Sequence, residues 1–211
     1  PRHGSAVAAL VANAAMSLGG RTLVLTTTLR AIAVIAQVLR QQLAQRGSHL
    51  DVLAQGEWPK LRLMERFRAG AGPQGGCILV ASASFWEGFD VPGDALQLVV
   101  IDKLPFPPPG DPLVQARTLQ IEQSGGSAFK EYALAEAAVA LKQGSGRLIR
   151  HESDRGVLVV CDSRLVRMGY GKRLIAALPP MRRLSGAEEF HAALEDLATI
   201  TRTSTTDQTF L

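Results

Sequence analysis

Cysteine is nearly absent: the chain of 211 residues holds two, Cys77 and Cys161, each in an apolar run. Two thiols in such surroundings exclude a disulfide framework, cannot build a zinc or iron–sulfur site, and are expected in buried strands. Aromatic residues make up only 5% of the chain, and no apolar stretch reaches the ~20 residues of a membrane span. No charged leader with a small-residue cleavage site opens the sequence either, so no membrane partner and a cytoplasmic location are the expectations. Acidic residues number 19 against 23 Lys and Arg, a net charge of +4 that permits a polyanionic partner without demanding one. Missing altogether is the glycine-rich loop closed by Lys-Ser/Thr that cradles a nucleotide's phosphates; the glycine clusters at Gly70–Gly76 and Gly125–Gly126 lack that ending.

What is present is enough apolar residue, 46% with a mean hydropathy of +0.10, to bury a sizeable core. Short β-branched runs alternate with longer helical patterns, which predicts an α/β fold: a parallel sheet flanked by helices on both faces, a three-layer sandwich. Strands are expected at Thr22–Thr26, Leu50–Ala54, Cys77–Ala81, Leu96–Asp102 and Gly156–Cys161, with a weaker one near Met181–Leu184. Helices are expected at about 5–18, 29–46, 58–69, 111–122, 128–150, 171–177 and 186–198, in one domain spanning 1–198 with a flexible tail at 199–211. The run Leu104-Pro-Phe-Pro-Pro-Pro-Gly-Asp-Pro suits neither helix nor central strand, so a rigid extended loop should leave the fourth strand.

Ligands of open parallel sheets bind at the carboxyl ends of the strands. Four places qualify. At Thr26-Thr27-Thr28 three hydroxyls precede a helix, suited to a phosphate or to an ordinary threonine cap. The segment Ser82-Ala-Ser84-Phe-Trp-Glu87-Gly88-Phe-Asp90-Val-Pro-Gly93 is too rich in acids, aromatics and glycines for a simple connection, although Phe85 and Trp86 are expected to plug the core. The proline loop has Lys103 at its base and carries Phe106, either a stacking face for a base or a hydrophobic plug. Asp162-Ser-Arg164 follows the fifth strand, and an ion pair stapling the loop is the favoured reading.

The most informative run is Gln143-Gly-Ser-Gly-Arg147-Leu-Ile-Arg150. On a helix, positions 143, 147 and 150 stack on one face, placing an amide and two guanidiniums together. Gly144 and Gly146 each cost about 1 kcal/mol relative to Ala there, a poor choice unless something approaches closely. A solvated Arg face is the bland reading, and a phosphate chain is the sharper one.

Together these residues resemble the second motor domain of superfamily 2 helicases, in the DinG/XPD-like branch. Ser84-Phe-Trp-Glu-Gly-Phe-Asp-Val-Pro-Gly resembles motif V and Gln143-Gly-Ser-Gly-Arg-Leu-Ile-Arg motif VI; Leu23-Val-Leu-Thr-Thr-Thr resembles motif IV. Asp102-Lys-Leu-Pro-Phe and Asp162-Ser-Arg164 with Tyr170-Gly171 resemble further landmarks, so the likeness runs from about residue 5 to 198. It implies a RecA-like domain that shares ATP and Mg²⁺ with an N-terminal motor domain. Arg147 and Arg150 are then arginine fingers for the γ-phosphate, and Gln143 contacts it or orients the attacking water. Glu87, Gly88 and Asp90 belong to the nucleotide site, while Thr26, Thr27, Thr28, Ser84, Lys103 and Arg117 contact single-stranded DNA.

No strand ends in the Asp-Glu-Ala-His-type sequence that would hold Mg²⁺, so the chain is expected to be the C-terminal half of a helicase and inactive as an ATPase alone. The whole enzyme would move 5′→3′ along single-stranded DNA. Any iron–sulfur cluster would belong to the missing half. Two alternatives remain open: a catalytically silent module binding single-stranded DNA or a partner, and a piece of a nuclease–helicase fusion.

Overall fold

The computed structural model describes residues 2–70, 75–82, 85, 91, 95–148 and 154–207, the last seven by backbone alone. Five parallel strands form the sheet: β1 (Thr22–Thr26), β2 (Asp51–Ala54), β3 (Cys77–Ser82), β4 (Leu98–Ile101) and β5 (Val157–Val160), in the order β2-β3-β1-β4-β5. Register is continuous across the centre, with Val24 opposite Val80 on one side and Val100 on the other. The period of two in each strand sends alternate residues to opposite faces, and both faces are apolar, as buried parallel sheets require.

Eight α-helices are described: α1 (Arg2–Leu18), α2 (Leu29–Gln45), α3 (Lys60–Arg68), α4 (Pro112–Gln123), α5 (Leu134–Ser145), α6 (Arg164–Arg167), α7 (Gly171–Ala176) and α8 (Ala187–Asp207). Val24, Ile78, Val80, Leu98 and Val100 pack against α1, α2 and α8 through Val11, Ile35, Leu39 and Leu194. Leu23, Leu25, Leu79, Val99 and Ile101 pack on the other face against α3, α5 and α7 through Leu63, Phe67, Leu141 and Leu174. This is the expected three-layer α/β sandwich of helix, sheet and helix. Among the described residues no helix is long and apolar enough to cross a membrane.

The chain enters the sheet through a tight turn. Gly19 and Gly20 adopt left-handed backbone, φ 64° and 93°, and Gly76 passes so close that a Cβ built on it would lie 1.8 Å from the Gly19 carbonyl oxygen. At the outer edge, the Arg40 guanidinium donates 2.7 Å to the Val52 carbonyl and also pairs with Glu57, covering part of the exposed β2 edge.

Several expectations shift. The residues around Met181–Leu184 form no strand: Pro179 and Pro180 precede them, and the chain there crosses from one face to the other, with Leu178 packed on one core and Leu184 on the opposite one. The helix expected over 186–198 continues to Asp207, since no Gly or Pro interrupts it. The helix expected over 128–150 is three pieces: a π-helical turn at Phe129–Ala133, α5, and a tight turn through Leu148.

Candidate functional site

α5 stops at Ser145, between Gly144 and Gly146. The two glycines are poor helix formers, and the Ser145 hydroxyl bonds back to the Leu141 carbonyl at 2.8 Å within the last turn. Arg147 N–H then donates to the Gly144 carbonyl (3.4 Å) and Leu148 N–H to Ser145 (3.0 Å), both i to i−3 bonds that tighten the coil. The face that would stack residues 143, 147 and 150 is therefore not a continuous α-helical one. Gln143 is exposed on the last turn of α5, Arg147 is half-buried on the following turn, and Arg150 lies outside the described residues.

Leu148 anchors this turn. It is 1% exposed and lies against Gly156, whose chain continues into β5. Val157 N–H bonds the Gln97 carbonyl, and Gln97 N–H bonds that of Arg21, so the turn sits at the amino edge of the sheet. Among the described residues no carboxylate pairs with the Arg147 guanidinium. A guanidinium fork held on an anchored turn has the geometry that suits a phosphate group.

Among the strand-contact candidates, the Thr26–Thr28 run and Lys103 lie at the opposite edge, where β1 and β4 end. Thr28 caps α2, its Oγ1 accepting from Ala31 N–H at 3.2 Å, and the buried Thr26 hydroxyl donates to the Thr28 carbonyl at 3.1 Å. The cap reading thus accounts for two of the three hydroxyls, while Thr27 is exposed. Lys103 is exposed directly after β4. Arg117 is exposed on α4, its guanidinium 5.0 Å from the centroid of the Tyr132 ring. Ser84, Glu87, Gly88 and Asp90 lie outside the described residues, as does Trp86; Phe85 and Val91, the described members of the motif, are both buried, so Phe85 does plug the core. With strands of four to six residues rising ~3.3 Å each, roughly 15 Å of sheet separates the Arg147 turn from the Thr26–Thr28 end.

Asp162 is the staple that its sequence suggests. It accepts Nε of Arg164 (3.0 Å) and Nη2 (2.6 Å), the Arg164 N–H (3.0 Å), and the Leu104 N–H (3.0 Å) at the base of the proline loop. Burial alone would raise its pKa, but the hydrogen bonds from Arg164 and the two backbone amides outweigh that and bring it down to about 2. Burial pushes both thiols up to about 11, leaving Cys77 and Cys161 protonated and unreactive at neutral pH.

Two features escape sequence reasoning. His3 Nε2 lies 2.6 Å from Asp102 Oδ1 and 3.1 Å from the Asp102 carbonyl, a bond reaching across 99 positions of chain. Its only sequence signal is a buried acid at a strand end. Phe106, Phe129 and Tyr170, from three separate segments, form one cluster with ring centroids 5.2–5.9 Å apart.

Residues 11–181 match the family described as Helicase C-terminal domain. The chain is similar to ATP-dependent DNA helicase YoaA of Haemophilus influenzae, with 44% identity over 164 residues, 78% of this chain and 24% of that protein. It is also similar to ATP-dependent helicase DinG of Mycobacterium tuberculosis, with 41% identity over 188 residues, 89% of this chain and 27% of that protein. The chain thus spans about a quarter of the length of these relatives. Among solved structures, one described as XPD helicase superposes with a TM-score of 0.49 at 16% identity, covering 77% of this chain and 28% of that one.

Proposed function

We propose, since the chain belongs to the helicase C-terminal domain family, that it is the second motor domain of a DinG-like ATP-dependent DNA helicase. It contributes half of an ATP site and part of a track for single-stranded DNA. The observation that carries this reading is Arg147: half-buried on an anchored turn, without a carboxylate partner among the described residues, at the sheet edge away from the exposed Thr27 and Lys103.

In this reading Arg147 and Arg150 neutralise charge that develops on the transferred phosphoryl group, an effect worth about 10³–10⁵ in rate for arginine fingers generally. Gln143, exposed one turn earlier, orients the attacking water or bonds the γ-phosphate. Glu87, Gly88 and Asp90 belong to the nucleotide site and couple it to the strand. Thr26, Thr27, Thr28, Ser84, Lys103 and Arg117 form the track, where phosphate contacts position the strand and carry no sequence information. For Thr26 and Thr28, whose hydroxyls are spent internally, the contact comes from the free N–H groups that begin α2.

The phosphate cradle and the Mg²⁺ ligands come from an N-terminal motor domain of the same protein, which also carries any iron–sulfur cluster. Movement is 5′→3′ and the location cytoplasmic. ATP turnover by this chain alone, with and without single-stranded DNA, tests the division of labour: none is expected in either condition, and DNA-stimulated turnover contradicts it.

A further inference from the structure

The three rings of Phe106, Phe129 and Tyr170 do not behave as a closed core. Phe129 is 44% exposed, while Phe106 and Tyr170 are half-buried behind it, Tyr170 edge-on to Phe106 at 89° and to Phe129 at 64°. Arg164, fixed by Asp162, holds its guanidinium 5.5 Å from the Phe106 centroid.

The backbone is reshaped to put Phe129 there. In a regular helix the residue one turn before the buried Leu134 would be Lys130. The π-helical turn, with Leu134 N–H bonded to the Phe129 carbonyl, inserts one residue so that Phe129 takes that place. Wide turns of this kind recur at functional sites.

The segments that carry the three rings are rich in exposed cations. Lys130 follows Phe129, Lys103 precedes Phe106 by three residues, and Arg167, Lys172 and Arg173 flank Tyr170; all five are exposed. From Ser163 to Ala187 the chain carries six basic residues and no acidic one. Among the described residues, Arg167, Lys172 and Arg173 pair with no carboxylate. Exposed aromatic surface on segments that also carry exposed cations has the chemistry of a stacking platform for nucleic-acid bases, with phosphates held beside it.

We infer that Phe129 stacks an unpaired base of single-stranded DNA, that Phe106 and Tyr170 position its ring, and that Lys103, Arg167 and Lys172 hold the adjoining phosphates. This rests on the strand-track reading and adds a base-contacting subsite to it.

The test is binding of a fluorescein-labelled oligodeoxythymidine to the chain at low salt, followed by anisotropy. Phe129→Ala and Phe129→Leu are expected to weaken binding about 5- to 150-fold, the loss typical of one stacked base, while Phe129→Trp restores it and its added indole emission is quenched by the strand. Phe129→Leu keeps apolar bulk against Phe106 and Tyr170, so a loss in that variant at unchanged melting temperature comes from stacking and not from misfolding. Wild-type affinity in Phe129→Leu, with the wild-type chain binding normally, overturns the subsite and leaves the track intact. A wild-type chain that fails to bind at all overturns the track itself, and the subsite with it.

Discussion

Leu148 rests on Gly156 so closely that a Cβ built on the glycine would come within 2.4 Å of Leu148 Cδ1 and 3.0 Å of the Gln97 carbonyl oxygen. The turn bearing Arg147 is therefore registered against the start of β5 by a contact only glycine permits. Gly156→Ala is expected to cost about 1–3 kcal/mol of stability by overpacking. In the longer parent it should also lower ATP turnover more than ATP binding, because the turn shifts. Thermal unfolding and steady-state turnover of the variant check both.

Asp162 joins the proline loop to the segment after β5, and its depressed pKa fixes the sign of its pH dependence. A carboxylate at about 2 when folded and about 3.8 when unfolded contributes its stability above the higher value and loses it as the pH falls through the lower. Asp162→Asn should thus melt below wild type at neutral pH, with the gap closing between about pH 4 and pH 2. Melting curves of both proteins across that range are the measurement.

Gly171 offers a purely structural check. A Cβ on it would lie 1.9 Å from the Leu165 carbonyl oxygen, backbone that cannot move aside. Gly171→Ala should destabilise by more than about 3 kcal/mol, a lowered denaturant midpoint, and release Tyr170 from its ring contacts.

Lys103 bears on the track. Removing one phosphate contact lowers the salt slope of single-strand binding by about 0.7. Lys103→Ala should show that change in affinities measured over a salt series, without altering the melting temperature, since the side chain is exposed.

Most of the sheet was legible because its signals are local. β1 coincides with its expected span, and the other four strands fall within a residue or two, since apolar runs bounded by Gly20, Gly76 and Gly156 leave little choice. β4 starts late because Gln97, still bonded to Arg21, spends its amide on the incoming turn. The end of α5 was not legible: glycines at 144 and 146 allow a helix or a turn, and the choice falls to Leu148 finding Gly156, a tertiary contact. α6, only four residues long, and the π-helical turn have no periodicity to read. Of the site residues, Thr28 and Asp162 could be assigned their local bonds from sequence. The His3–Asp102 bond and the aromatic cluster depend on segments far apart in the chain, which composition and spacing do not record.

In the proposed division of labour, this chain supplies catalytic arginines to a nucleotide held mainly by another domain. The most direct measurement is ATP turnover, beside ATP binding, in the full-length parent with single-stranded DNA, comparing wild type with Arg147→Ala and Arg150→Ala. Turnover is predicted to fall by about 10³ or more with nucleotide affinity nearly unchanged. Unchanged turnover, or an equal loss of binding and turnover, would contradict it.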